Sequence, residues 1–240
     1  GRGLDASVVK MLADQLAALR SRGCDVVLVS SGAIVAGLAR LNLPERPHEV
    51  HLSQAAAAVG QSALVRAYEE HLSPHGVTTA QILLSHADVR ARDRYLNARS
   101  TLSTLLAMNV LPIVNENDTV VTDEIRLGDN DTLAALVANL VDADALLILT
   151  DQDGLMDSDP RQSVDAALIQ TADVHDSSLD AIAGAGSALG RGGMATKLSG
   201  ARLAARSGTA TVIANGRQAD AITQVAGGAS LGTFLKTQRQ

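Results

Sequence analysis

Short apolar runs alternate with helical segments along this 240-residue chain. Runs rich in aliphatic and β-branched residues predict strands at 25–30, 77–84, 110–115, 145–150 and, as the last one, 209–215. Helical spacing of apolar residues predicts helices at 5–22, 30–41, 52–72, 95–108 and 194–207. Strands that are apolar on both faces are typical of a parallel sheet covered on both sides. We therefore predict an α/β fold with a mostly parallel central sheet sandwiched between helices, in a single domain of residues 1–240.

Composition excludes several classes of function. The formal net charge is −6 and aromatic residues make up 1% of the chain, which argues against a nucleic-acid surface and against a base-stacking platform. The apolar runs are too short to span a membrane, and the first ten residues lack the apolar core of a signal peptide. A cytoplasmic protein with no nucleic-acid or membrane partner is expected. The single cysteine, Cys24, excludes an intramolecular disulfide, and we expect it to be buried beside a strand.

Small, polar or glycine-rich segments follow the predicted strands. They are SSGA at 30–33, NEND at 115–118, TDQDG at 150–154 and, further along, GRGGMATK at 190–197. In open parallel sheets, ligands bind outside the carboxyl ends of the strands, so we expect the site there. In GRGGMATK, glycines would let the backbone approach a phosphate and the lysine would add a charge, although a flexible surface loop is the alternative. This segment lacks the Gly-Lys-Ser/Thr order of a Walker loop.

The segment GDNDTLAALVANLV, at 128–141, places three polar residues directly before a helix. Either Asp131 or Thr132 could cap that helix, because one side-chain oxygen is enough for a cap. A cap and a turn glycine do not account for Asp129, Asn130 and Asp131 together. Adjacent polar groups at the positive end of a helix dipole indicate a bound ligand.

Metal and hydrolase chemistry have little support. The pairs His48/His51 and His71/His75 have ligand-like spacing, but no third ligand is evident, so we predict no metal site. If Asp151 is the first position of a calcium loop, the glycine of TDQDG stands at the fourth position, and such a loop requires it at the sixth. Gly-x-Ser-x-Gly is absent around Ser30 and Ser31, which leaves a hydrolase unsupported.

Seven segments occur in an order that resembles the glutamate-phosphorylating members of the amino acid kinase family, over about residues 4–234. These segments are VSSGAIVAG, QAAAAVGQS, ARDRYLNAR, VNENDTV, GDNDTLAALVA, LTDQDGLMDSDPR and GRGGMATKLSGA. The resemblance implies that ATP transfers its γ-phosphoryl to the side-chain carboxylate of L-glutamate. The product would be L-glutamyl 5-phosphate, the first intermediate of proline synthesis. The resemblance also implies Mg²⁺ bound with the nucleotide, proline as a feedback inhibitor, and a homo-oligomer.

The resemblance assigns roles to particular residues. Ser31, Asp118 and Asn130 match glutamate-binding positions. Asp129 and Asp131 match acids beside the reaction centre, with Asp131 orienting lysine, and Lys197 matches the lysine that stabilises the phosphoryl group in transfer. The positions that match nucleotide contacts are Thr150, Asp151, Arg191, Gly192, Gly193, Met194, Ala195, Thr196 and Lys197.

Two alternatives remain open at this stage. One is another amino acid kinase, acting on acetylglutamate, aspartate or carbamate. The other is a catalytically impaired nucleotide-binding regulatory protein. The second alternative arises because family members begin with a strand and a Lys-x-Gly-Ser type loop, which precede the position that matches Gly1. We expect residues 1–240 to lack that strand, whose place is beside 25–30, and the C-terminal PUA domain of many members.

Overall fold

The computed structural model describes residues 4–45, 47, 49–120, 130–158, 163, 165–185 and 193–237. The chain divides into two compact units, Gly1–Leu127 and Gly128–Gln240. That residues 1–240 form one domain stays a prediction. The α/β class and the predominance of parallel strands are confirmed.

The first unit contains a three-stranded parallel sheet. Its strands are β1 (Leu28–Val29), β2 (Thr79–Leu84) and β3 (Leu111–Glu116), in the order β1-β3-β2. Its helices are α1 (Ala6–Ser21), α2 (Ala33–Arg40), α3 (Val50–Leu72), α4 (His86–Arg90) and α5 (Arg92–Ala107). Every residue of β3 is buried, as expected for the middle strand of a sheet covered on both faces.

Helices α2 and α3 approach each other at two glycines. A Cβ placed on Gly60 would lie 1.7 Å from the carbonyl oxygen of Ala33, and one on Gly37 would lie 1.7 Å from that of Ala56. The two backbones can touch only because neither glycine has a side chain. The contact at Ala33 fixes the start of α2 at the last residue of the SSGA segment.

The second unit contains a mixed four-stranded sheet. Its strands are β4 (Ala145–Thr150), β5 (Thr171–Asp173), β6 (Ala210–Asn215) and β7 (Thr233–Lys236), in the order β4-β6-β7-β5. Neighbours are parallel except β6 and β7, which are antiparallel. Its helices are α6 (Asn130–Leu140), α7 (Ser178–Ala185), α8 (Met194–Ala205) and α9 (Ala221–Ala226).

Several expectations from the sequence are wrong in detail. The strand ending at Asn215 is not the last, because β7 follows it and pairs with it. β5 and β7 have only three and four residues, too few to give a periodic signal. Cys24 is exposed, because β1 begins only at Leu28 and leaves the cysteine in the preceding loop.

Candidate active site

Asp131 and Lys197 form an ion pair in the second unit. The Lys197 Nζ lies 3.0 Å from Asp131 Oδ2 and 3.3 Å from Oδ1, and the two side chains are only 12% and 15% exposed. Asp131 is in the first turn of α6, and Lys197 is in the first turn of α8. Tertiary packing therefore brings together two residues 66 positions apart in the chain.

Asp131 is not the cap that the sequence offered as one explanation. α6 begins at Asn130, so Asp131 and Thr132 are inside the helix and neither precedes it. The Asp131 carboxylate contacts α8 instead, where it also lies 3.1 Å from the Thr196 hydroxyl. An acid in the first turn still interacts favourably with the dipole of its own helix.

The start of α8 is formed by the part of the GRGGMATK segment that the structure describes. Gly193 is the residue before α8, and its carbonyl accepts hydrogen bonds from the backbone N–H groups of Thr196 and Lys197. Gly193, Met194, Ala195, Thr196 and Lys197 are all half-buried. Because the first amides of a helix lack acceptors within it, this turn can receive an anionic oxygen.

Thr150 and Asp151 lie at the carboxyl edge of the second sheet. Thr150 ends β4 and is in register with Asn215, which ends the parallel strand β6. The Asn215 Nδ2 donates to Asp153 Oδ1 over 2.9 Å, and the Gly216 N–H donates to the Thr150 carbonyl over 2.8 Å. These two bonds tie together the loops that follow β4 and β6.

The residues that the resemblance assigns to glutamate binding are found in both units. Ser31 and Gly32 lie between β1 and α2, and Asp118 follows β3, so Ser31 and Asp118 are both near the carboxyl edge of the first sheet. Gly32 has a φ of 102°, a backbone conformation that favours glycine. Asn130, half-buried, is the first residue of α6 in the second unit.

Three assigned residues, Asp129, Arg191 and Gly192, lie outside the described residues. The alternating segment TVVTDEIRLG at 119–128, whose pattern predicts a small extended excursion, also falls mostly outside them.

Sequence reasoning missed a group of buried polar residues at the edge of the first sheet. Asn115, Glu116 and Gln61 are all at most 8% exposed. The Gln61 Nε2 donates to the Glu116 carbonyl over 3.2 Å, and the Glu116 N–H donates to Asn115 Oδ1 over 2.9 Å. The signal for Asn115 and Glu116 was the NEND segment, from which only Asp118 was selected. Gln61 belongs to the QAAAAVGQS segment of a helix, from which no residue was selected.

Asn215 was missed as well. Asn215 is a polar residue at the end of an apolar strand, and the same criterion selected the other segments.

Two findings concern the part of the chain that the structure describes. No group of three or more His, Cys, Asp or Glu side chains in it could hold a metal ion. None of its helices has the length and apolar character needed to cross a membrane.

The chain is similar to known proteins in sequence and in structure. The model of the Amino acid kinase family matches residues 2–215. A protein named glutamate 5-kinase from Chromohalobacter salexigens is 60% identical over 235 residues, which cover 98% of this chain and 62% of that protein. One of the same name from Paraburkholderia phytofirmans is 58% identical over 236 residues, covering 98% of this chain and 63% of that protein. The chain thus spans less than two thirds of the length of these relatives.

A solved structure with a similar fold is the isopentenyl phosphate kinase product complex of T. acidophilum. It aligns with a TM-score of 0.64 at 17% identity, over 96% of this chain and 91% of that one. Its similarity concerns the fold alone.

Proposed function

The chain belongs to the amino acid kinase family, and on that premise we propose that it phosphorylates the side-chain carboxylate of L-glutamate with ATP. The product is L-glutamyl 5-phosphate, and the reaction is the first step of proline synthesis. The identity of 60% and 58% to proteins named glutamate 5-kinase, over nearly the whole chain, supports this substrate. The observation that carries the proposal is the shielded Asp131–Lys197 pair, which presents an ammonium at the start of a helix.

The reaction needs no general base. The attacking group is a carboxylate with an ordinary pKa of about 4.3, so it is already ionised at neutral pH. What remains is to bring two anions together and to neutralise the charge of the transferring phosphoryl. Lys197 supplies a positive charge for that purpose, and Asp131 holds the ammonium by both carboxylate oxygens.

The proposal assigns each substrate to particular residues. Ser31, Asp118 and Asn130 hold glutamate. Asn130 offers both a donor and an acceptor, and the first backbone N–H groups of α2 donate to a carboxylate oxygen. Asp129 assists beside the reaction centre. The nucleotide contacts ascribed to ATP are Thr150, Asp151, Arg191, Gly192, Gly193, Met194, Ala195, Thr196 and Lys197.

Mg²⁺ accompanies the nucleotide in this proposal. Mg²⁺ dehydrates reluctantly and is commonly held by substrate phosphates, water and few carboxylates. A donor set without three clustered acids or histidines among the described residues fits that mode of binding. When bound, the ion neutralises part of the phosphate charge. Proline feedback, a homo-oligomeric state and a cytoplasmic location are further parts of the proposal.

A substrate comparison tests the function. ATP consumption by the full chain is measured with L-glutamate, acetylglutamate, aspartate and carbamate as acceptors, and the acyl phosphate is trapped with hydroxylamine. Glutamate should be the preferred acceptor. Preference for another acceptor would assign the chain to a different amino acid kinase, and inactivity with all four would favour a nucleotide-binding regulatory role.

A lysine variant links that activity to the site. Lys197→Ala should lower turnover by roughly 10²- to 10³-fold, the scale for losing one transition-state donor, with little change in glutamate binding. Lys10→Ala is the matched control, since Lys10 is 60% exposed and pairs with Asp14 on the surface of α1. Near-normal turnover of the Lys197 variant would remove this residue from the mechanism.

A further inference from the structure

Three residues on one face of α8 contact Asp131. Thr196 and Lys197 approach its carboxylate, and Gly200 lies under its backbone. Positions three and four apart on a helix share a face, so Gly200 is on the same face as the other two. The first two turns of α8 thus contact both the side-chain carboxylate and the backbone carbonyl of Asp131.

The Thr196 hydroxyl has two acceptors within reach but only one proton. Its Oγ1 lies 2.7 Å from the Gly193 carbonyl oxygen and 3.1 Å from Asp131 Oδ2. A hydroxyl donates one hydrogen bond at a time. When Thr196 donates to Asp131, the carboxylate has a second partner besides Lys197, and its rotation is fixed. When Thr196 donates to Gly193, Lys197 holds the carboxylate without the help of Thr196.

Gly200 sets how closely α8 approaches α6. A Cβ at this position would lie 2.9 Å from the Asp131 carbonyl oxygen and 3.2 Å from its carbonyl carbon. Both atoms belong to the backbone, so a methyl group there would push the two helices apart. Asp131 is in α6 and Lys197 is in α8, so the distance between their side chains would increase as the two helices move apart.

We propose that Thr196 and Gly200 are positioning residues, which place the Lys197 ammonium through Asp131. Lysine has three N–H donors, and Asp131 engages two of them when it binds through both oxygens. The third points away from a fixed carboxylate and is available to an anionic ligand. The identification of this ligand as a transferring phosphoryl group rests on the proposed function. The placement of Lys197 does not depend on it.

Lysine labelling measures the placement directly. The chain has three lysines, Lys10, Lys197 and Lys236. Lys10 and Lys236 are exposed and serve as internal references. After brief treatment with acetic anhydride, mass spectrometry gives the acetylation rate of Lys197 relative to the other two. We expect slow labelling of Lys197 in the natural sequence, and labelling about tenfold faster in Thr196→Val and Gly200→Ala, the scale of one lost hydrogen bond to a charged group.

Controls separate placement from a general loss of structure. Thr196→Ser keeps the hydroxyl and should restore slow labelling. Ser199→Ala removes an exposed hydroxyl from the same helix, and Gly184→Ala adds a methyl to a helical glycine with nothing within 4 Å of the new Cβ. Both should behave as the natural sequence. If Gly200→Ala fails to fold, the Thr196 pair still provides the test.

Kinetics give the second measurement. Turnover should fall about tenfold in Thr196→Val and about 10²-fold in Gly200→Ala, the effect of misplacing a group by about 1 Å, with little change in the KM for glutamate. Unchanged Lys197 labelling in both variants, or a change confined to the KM for ATP, would overturn the proposal. Failure of the natural sequence to phosphorylate glutamate would instead reject the proposed function, and the labelling rates would still decide the placement.

Discussion

Tyr68 is a buried phenol close to the end of β1. It is 5% exposed and hydrogen-bonded to Ser30. Burial raises the pKa of Tyr68 above its ordinary value of 10.0, while the hydrogen bond with Ser30 acts in the opposite direction. Because the folded chain disfavours the phenolate, the unfolded chain loses its proton first as the pH rises.

This ionisation predicts a loss of stability at alkaline pH. The contribution of Tyr68 to the free energy of unfolding is complete below pH 10.0 and declines as the pH rises through the raised pKa. The slope is at most about 1.4 kcal/mol for each pH unit, the value for one proton. Denaturant titrations below and above that pH should show a smaller alkaline loss in Tyr68→Phe than in the natural sequence.

The second tyrosine provides the control. Tyr95→Phe should retain the full alkaline loss and leaves Tyr68 as the only tyrosine, whose absorbance on ionisation can then be followed alone. An alkaline loss of equal size in the Tyr68 and Tyr95 variants would contradict the assignment.

The contact between helices α2 and α3 carries a prediction for these elements. Gly60→Ala places a methyl group 1.7 Å from the Ala33 carbonyl oxygen, a backbone atom that cannot rotate away. Alanine would gain about 1 kcal/mol in helix propensity. Overpacking costs typically about 1–3 kcal/mol, and more where the backbone must shift. The overpacking should prevail, and the free energy of unfolding should decrease.

The Gly60→Ala change should also affect the KM for glutamate more than the KM for ATP. Ala33 begins α2 directly after Ser31 and Gly32, so displacing it disturbs a segment assigned to glutamate. We expect a higher KM for glutamate with little change in the KM for ATP. Gly184→Ala, with open space around its new methyl group, should be neutral or stabilising. An unchanged midpoint of thermal unfolding in Gly60→Ala would show that the two helices tolerate a wider spacing.

For the chain as a whole, feedback by proline is the prediction that combines substrate and inhibitor. Proline resembles a cyclised glutamate backbone, so we expect both to compete for the residues proposed to bind glutamate, Ser31, Asp118 and Asn130. Inhibition by a fixed proline concentration should weaken as glutamate is raised and should not respond to ATP. Initial rates over a grid of glutamate and proline concentrations measure this. Inhibition that is independent of glutamate would indicate a separate site.

The hydrophobic pattern was sufficient to predict most of the longer elements. β3 was predicted at 110–115 and found at Leu111–Glu116, and β4 was predicted and found at 145–150. α3 was predicted at 52–72 and begins two residues earlier, at Val50. These elements are defined by local spacing of apolar residues, which a linear sequence displays directly. The short pair β5 and β7 has no such spacing and forms only because each strand finds a partner distant in the chain.

The candidate site divides in the same way. Lys197 and Asp131 could be selected from the sequence, because glycine-rich and acidic segments at helix starts are visible there. That the two side chains meet, that Thr196 joins them, and that Gly200 permits the approach all depend on contacts across about 65 residues. Such contacts follow from how α6 and α8 pack, and packing is set by the fit of whole surfaces rather than by any local run of residues.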